Sequence, residues 1–174
     1  GDWSYYEVCE WAIDEYGLDL NASAKAKVLC EGKFWRDQFD SELNRLMREW
    51  QVLTCVIDAD PWILEARRFA RRFPGHVYLC RYRRGVTAKE IAISDEDDDA
   101  PVITVDRSNW LSAALGRFKT DPTRIILPRD VSHEYREHIK SLVGTYERDE
   151  FGNPVYVYKE TGPDHFAHAR AYAE

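Results

Sequence analysis

Asp58 directly follows the unbroken apolar run Val52-Leu53-Thr54-Cys55-Val56-Ile57. An acid in that place lies at the carboxyl edge of a buried strand, where open α/β sheets bind their ligands, although a turn would equally accept an Asp. Asp164 opens a final helical stretch and is followed by His165 and His168, which share a helix face. Its plainer role is an N-cap beside surface histidines. Asp2 precedes the first strand and carries no signal on its own. Seven arginines, Arg67, Arg68, Arg71, Arg72, Arg81, Arg83 and Arg84, lie between Ala66 and Gly85 with no acid among them. Such a segment suits sequence-independent contact with phosphates, and the first four equally suit a solvated helix face. Arg81, Arg83 and Arg84 end a strand expected near the same sheet edge as Asp58. No serine or cysteine sits in a local nucleophile signature. Cys9, Cys30, Cys55 and Cys80 form no CxxC pair, which argues against zinc and for buried thiols without disulfides.

Positioning these groups requires a folded domain. The chain has 174 residues, 44% hydrophobic and 13% aromatic, enough apolar surface to offset the entropy of ordering. Its formal charge of −7 is uneven. The run Asp95-Glu96-Asp97-Asp98-Asp99 holds five acids, and without it 26 acids face 24 bases, so an anionic partner is not excluded. No stretch has the roughly 18 uncharged apolar residues of a membrane helix, and the N-terminus lacks a signal-peptide pattern, so a soluble protein is expected.

Residues 5–13 and 25–34 alternate as strands and suggest an antiparallel pair. From Asp37 the period becomes helical, with Phe39, Leu43, Leu46, Met47 and Trp50 on one stripe. The run 52–57 predicts a central strand buried on both faces. Asp60 and Pro61 have the types of an N-cap and first helical residue, heading a helix with Trp62, Ala66, Phe69 and Phe73 inward. Residues 76–82 then predict a parallel strand reached by a right-handed crossover. Further strands are expected at 86–93, 101–105 and 124–127, with a helix over 107–118. Ser132 can cap a helix carrying Tyr135, Ile139, Leu142 and Tyr146, and Phe151-Gly152-Asn153-Pro154 supplies a turn before a strand at 155–159. A last helix covers 165–173. No linker interrupts the chain, which predicts one domain over residues 1–174.

Taken together, Gly1-Asp2-Trp3, Cys55-Val56-Ile57-Asp58-Ala59 with Pro61, and Gly162-Pro163-Asp164-His165-Phe166-Ala167-His168-Ala169 with Tyr172 resemble the nuclease domain of phage terminase large subunits. The resemblance extends over essentially the whole chain, including Val105-Asp106-Arg107 and Ile125-Ile126-Leu127-Pro128. It implies an α/β, RNase H-like mixed sheet flanked by helices. It also implies that Asp2, Asp58 and Asp164 meet at the carboxyl edge and hold two divalent ions. Three converging carboxylates repel one another without a cation, and hard oxygen donors favour Mg²⁺ or Mn²⁺. Two such ions activate water and stabilise the leaving oxygen of a phosphodiester.

Two positions depart from the family pattern. Many members carry an Asp where this chain has His168, and only Gly1 precedes Asp2, so either the chain is a trimmed domain or its first strand is shortened. No G-x-x-x-x-G-K-[ST] run is present, so the packaging ATPase would precede Gly1 in a longer protein. The resemblance further implies double-stranded DNA, the portal protein and the small terminase subunit as partners in the host cytoplasm. Two other readings stay open. One is a different RNase H-like nuclease, of resolvase or integrase type. The other is a catalytically weak module that docks DNA or the portal.

Overall fold

A computed structural model describes residues 3–12, 24–83, 92–94, 100–120 and 123–174. The described chain is α/β, with a mixed sheet and flanking helices as the sequence predicts. It divides into two compact units, one built mainly of Phe34–Trp110 and the other of Tyr5–Lys33 and Leu111–Tyr172.

In the first unit, helix α1 (Phe39–Glu49) is followed by β3 (Cys55–Asp58), α2 (Ile63–Ala70), β4 (Val77–Tyr82), β5 (Ala92–Ser94) and β6 (Val102–Val105). The sheet order is β3-β4-β6-β5. β3, β4 and β6 run parallel and β5 runs antiparallel to β6. The strand–helix–strand segment therefore makes the expected parallel pair, with Cys55 opposite Val77 and Asp58 opposite Cys80. Ala66, Phe69 and Ala70 of α2 pack with Met47, Val77, Leu79 and Val102 in the core, joined by half-buried Phe39, Leu43, Cys55 and Ile57.

Two local expectations are corrected. β3 stands at the end of the described strand order, not its centre. Its Cys55, Val56 and Ile57 are half-buried and Leu53, 79% exposed, precedes the strand, so the run overstated both the length and the burial of β3. Asp60 does not cap α2, which begins at Ile63 with Trp62 in the capping position, after a cis Asp60–Pro61 bond. The Asp60 carboxylate instead pairs with Arg81. The expected strand at 86–93 and the acidic run at 95–99 lie almost wholly outside the described residues, which resume with β5.

The second unit takes most of β1 (Trp3–Ala12) and β2 (Lys25–Trp35), together with β7 (Ile125–Ile126), in the order β1-β2-β7. β2 and β7 pair in parallel, with Ala26 opposite Ile125. Helix α3 (Arg107–Gly116) begins in the first unit and ends in the second. Ser132 caps α4 (His133–Lys140) as predicted, its side chain accepting the Tyr135 N–H at 3.0 Å. That helix ends at Lys140. Leu142 and Tyr146, which fall at helical spacing after Ile139, belong instead to β8 (Leu142–Arg148), paired antiparallel with β9 (Pro154–Glu160). Gly144 shows why a strand wins here: the Tyr156 ring lies across it, and any Cβ would collide with that ring. Gly152, at φ +83°, takes the left-handed position of the connecting turn. Helix α5 (His165–Tyr172) closes the unit and packs Phe166 against Tyr135 and Val131.

Candidate functional site

The carboxyl edge of the first unit's sheet collects Asp58 from β3, Arg81 and Arg83 at the end of β4, and Asp106 just after β6. The edge is built by the ladder itself. Ala59 N–H donates to the Cys80 carbonyl at 2.8 Å and Arg83 N–H to the Val105 carbonyl at 2.9 Å, so the three strands end in step. Asp58 is exposed. Its Oδ1 accepts the Asp60 N–H at 3.0 Å, an Asx-type turn that orients the carboxylate. The Arg81 Nε donates to Asp60 Oδ2 at 3.1 Å, with both side chains about half exposed. Asp106 caps α3: its Oδ1 accepts the Asn109 N–H at 2.9 Å and its carbonyl accepts the Trp110 N–H at 3.0 Å. Sequence reading gave Asp106 no role, yet the signal was the one that singled out Asp58, an acid directly after an apolar strand.

The donors at this edge are oxygens. Burial, with the nearby Asp58 charge adding to it, pushes the Cys80 thiol up to about 12, and burial alone does the same to Cys55. Neither offers a thiolate at neutral pH, which leaves the carboxylate oxygens as the anionic donors at this edge. Among the described residues, no three His, Cys, Asp or Glu side chains stand close enough to hold a metal by themselves.

The remaining arginines divide. Arg72 makes a bidentate pair with Asp40 of α1, one bond measuring 2.8 Å, on an exposed face where both side chains stay nearly half accessible. Arg84 and Asp2 lie outside the described residues.

Asp164 belongs to the second unit, where it is buried. It stands immediately before α5, and its carbonyl accepts the Ala167 and His168 N–H groups at 2.8 and 3.2 Å. His168 Nε2 lies 3.1 Å from Asp164 Oδ2. His165 goes elsewhere, stacking on Tyr5 with ring centroids 4.6 Å apart. The two histidines therefore have separate partners.

A buried charge network holds α5 in the same unit. Arg170 Nη1 donates to Glu7 Oε1 of β1 at 2.6 Å, with both side chains fully buried. Tyr135 Oη donates to Glu7 Oε2 at 2.7 Å, and Arg170 Nη2 reaches Glu174 at 3.3 Å. Arg117 Nε donates to both Glu174 oxygens at 2.8 Å and its guanidinium lies over the Trp11 ring.

His138 of α4 is buried, and its Nδ1 accepts the Phe166 N–H at 3.4 Å. Burial holds its pKa below the usual imidazole value, against the opposing charges of Glu134 and Asp164 and together with those of His165 and Lys33. The unfolded chain therefore binds a proton here before the folded one does. The stability this group contributes is present above the unfolded pKa of about 6.5 and is lost as pH falls below it. Thermal melts from pH 7.5 to 5 are expected to show a declining Tm in the wild type and a shallower decline in His138→Asn. Parallel curves would show that His138 is not the group responsible.

The fold and the edge define an α/β protein with carboxylates and arginines gathered where parallel strands end. Among solved structures, the chain is similar to the large terminase nuclease from thermophilic phage G20c with bound magnesium, at 14% identity over 99% of this chain and 80% of that one, with a TM-score of 0.38. A second structure of the G20c large terminase nuclease gives 14% identity, 99% and 81% coverage and a TM-score of 0.37. No family model matches the chain and no curated protein does. Likeness of this size carries no argument about activity, which rests on the chain's own residues.

Proposed function

We propose that the chain, residues 1–174 acting as one nuclease domain, is a metal-dependent endonuclease that cleaves double-stranded DNA with little sequence preference. The observation that carries this reading is the exposed Asp58 carboxylate at a parallel sheet's carboxyl edge, beside a strand that ends in Arg81 and Arg83. One group suits a cation and the other a phosphate, which are the two things a phosphodiester hydrolase must hold. The motif resemblance over residues 1–3, 55–59 and 162–169 adds a terminase-type role, cutting concatemeric viral DNA during packaging in the host cytoplasm with portal and small-subunit partners.

Asp2, Asp58 and Asp164 are the proposed ligands of two Mg²⁺ or Mn²⁺ ions, which when bound supply water activation and charge stabilisation at the scissile phosphate. Asp58 brings negative charge on a carboxylate already oriented by the Asp60 N–H. His168 steadies the Asp164 carboxylate through the 3.1 Å contact, as outer partners of metal ligands commonly do. Arg81 exchanges its pair with Asp60 for a DNA phosphate at little cost, because exposed ion pairs are worth about 1 kcal/mol or less.

Conversion of supercoiled plasmid to nicked and linear forms in Mn²⁺, and its absence in EDTA, tests the reading; cleavage undiminished by EDTA would overturn it. DNA affinity supplies a second measurement. Replacing Arg81 and Arg83 by Ala is expected to weaken binding equally for unrelated duplexes and to reduce the slope of log K against log salt by roughly one per lost phosphate contact. An unchanged slope would remove these arginines from the interface.

A further inference from the structure

In the first unit, away from the strand ends, two walls line an open groove of about 590 Å³. One is the end of β2 with the 3₁₀ turn Arg36–Gln38 that follows it, and the other is α2. The turn wall carries Trp35, 47% exposed, its indole stacked on Trp3 at 3.9 Å and its backbone N–H donated to the Gln38 side chain at 3.2 Å. Two residues on, Asp37 is exposed. The helix wall carries Arg68, and Leu64, 75% exposed, stands one turn before it on the same face. Arg36 ties the walls together, lying over the Trp62 ring at 4.5 Å and pairing with Glu65 at 3.0 Å. Asp40, also in the lining, is taken by Arg72. Three acids thus stand among three arginines, and among the described residues Asp37 and Arg68 are the two of the six without an ion pair.

We propose that this groove is the contact surface between two copies of the chain related by a two-fold axis, Trp35 of one copy meeting Leu64 of the other and Asp37 meeting Arg68. In a two-fold contact the same surface must supply both halves of every pair. The two walls meet that requirement twice over. Each presents one exposed apolar side chain and one charge without an ion pair, and the two charges are opposite in sign. A polyanion would meet Asp37 and a basic peptide would meet Arg68, whereas a surface of the same composition can set each against its opposite. The chain's formal charge of −7 opposes self-association in general, and a balanced lining lifts that repulsion where the copies touch. Trp and Arg are also the residue types that carry most binding energy at interface centres, and an indole already braced by Trp3 gives up little freedom on contact.

The inference does not depend on the nuclease reading, and its test uses neither DNA nor cleavage. Sedimentation velocity in EDTA at rising protein concentration is expected to show a monomer–dimer equilibrium with a micromolar dissociation constant, as a small and partly polar interface gives. Trp35→Ala and Leu64→Glu should each weaken it by about tenfold or more, and Leu64 is exposed enough for that variant to keep its fold. Asp37→Arg and Arg68→Glu each set like charges against one another at both ends of the contact, so either variant alone should be monomeric where the wild type is dimeric. An equimolar mixture of these two variants should regain the dimer, because each copy then carries the charge that the other needs. The double variant Asp37→Arg/Arg68→Glu should regain it as well. A wild type that stays monomeric up to millimolar concentration would overturn the proposal. So would a dimer indifferent to the charge reversals, or a mixture that remains monomeric.

Discussion

Asp58→Asn is expected to abolish metal-dependent cleavage while leaving the fold as it is. Asn occupies the same volume, and its side-chain oxygen can still accept the Asp60 N–H that now goes to Asp58 Oδ1. The position is exposed, so stability should change by well under about 1 kcal/mol. What Asn lacks is the charge that a divalent ion requires. Several kcal/mol of transition-state stabilisation would go with the ion, which at about 1.4 kcal/mol per decade means a loss of roughly a hundredfold or more. Asp106→Asn supplies the control on the same edge. Its carboxylate caps α3 through the Asn109 N–H, and Asn caps helices about as well as Asp, so this variant should keep its activity. Cleavage by Asp58→Asn within threefold of wild type, or an equal loss in both variants, would remove Asp58 from the chemistry.

Arg170→Met is expected to destabilise the protein more than any surface change. The substitution leaves Glu7 as a fully buried carboxylate with the neutral Tyr135 hydroxyl and Cys9 thiol against it. Removing one partner of a buried pair costs roughly 3–5 kcal/mol, because the other charge stays desolvated. For a chain of this length that corresponds to a fall in Tm of about 10 °C or more. The double variant Glu7→Gln/Arg170→Met should recover a large part of the loss, since no buried charge remains and Gln can still accept from Tyr135 Oη. Calorimetry on the four proteins decides the matter: if the two single losses simply add in the double variant, the pair is not coupled as its geometry requires.

How much of this was legible beforehand depended on distance along the chain. Local signals read well. The second half of the apolar run, Cys55–Ile57, became β3 together with Asp58, Ser132 became a cap, and the strand–helix–strand order became a parallel pair. Where two local rules competed, tertiary context chose. Leu142 and Tyr146 satisfy a helical period four residues apart, but Gly144 between them accepts the Tyr156 ring, which only pairing with β9 supplies. Asp60-Pro61 has the residue types of a helix start, yet the Asp60 carboxylate is taken by Arg81, 21 residues on. Glu7 and Arg170 are 163 residues apart and nothing local marks either as half of an ion pair.

The division of the chain bears on its birth. The first unit is nearly continuous, Phe34–Trp110, whereas the second joins Tyr5–Lys33 to Leu111–Tyr172. On a ribosome, the β3–β4 register closes over 22 residues and is available as soon as that stretch emerges. The strand β2, already outside, must wait for β7, because Ala26 pairs with Ile125 some hundred residues later. Closing so long a loop costs entropy before any contact repays it, so the interposed unit is poised to form first. Until then β2 presents Ala26 and Val28, both buried in the finished protein, to whatever a nascent chain meets. For this fold, exposure to aggregation is greatest in the interval between the emergence of β2 and that of β7.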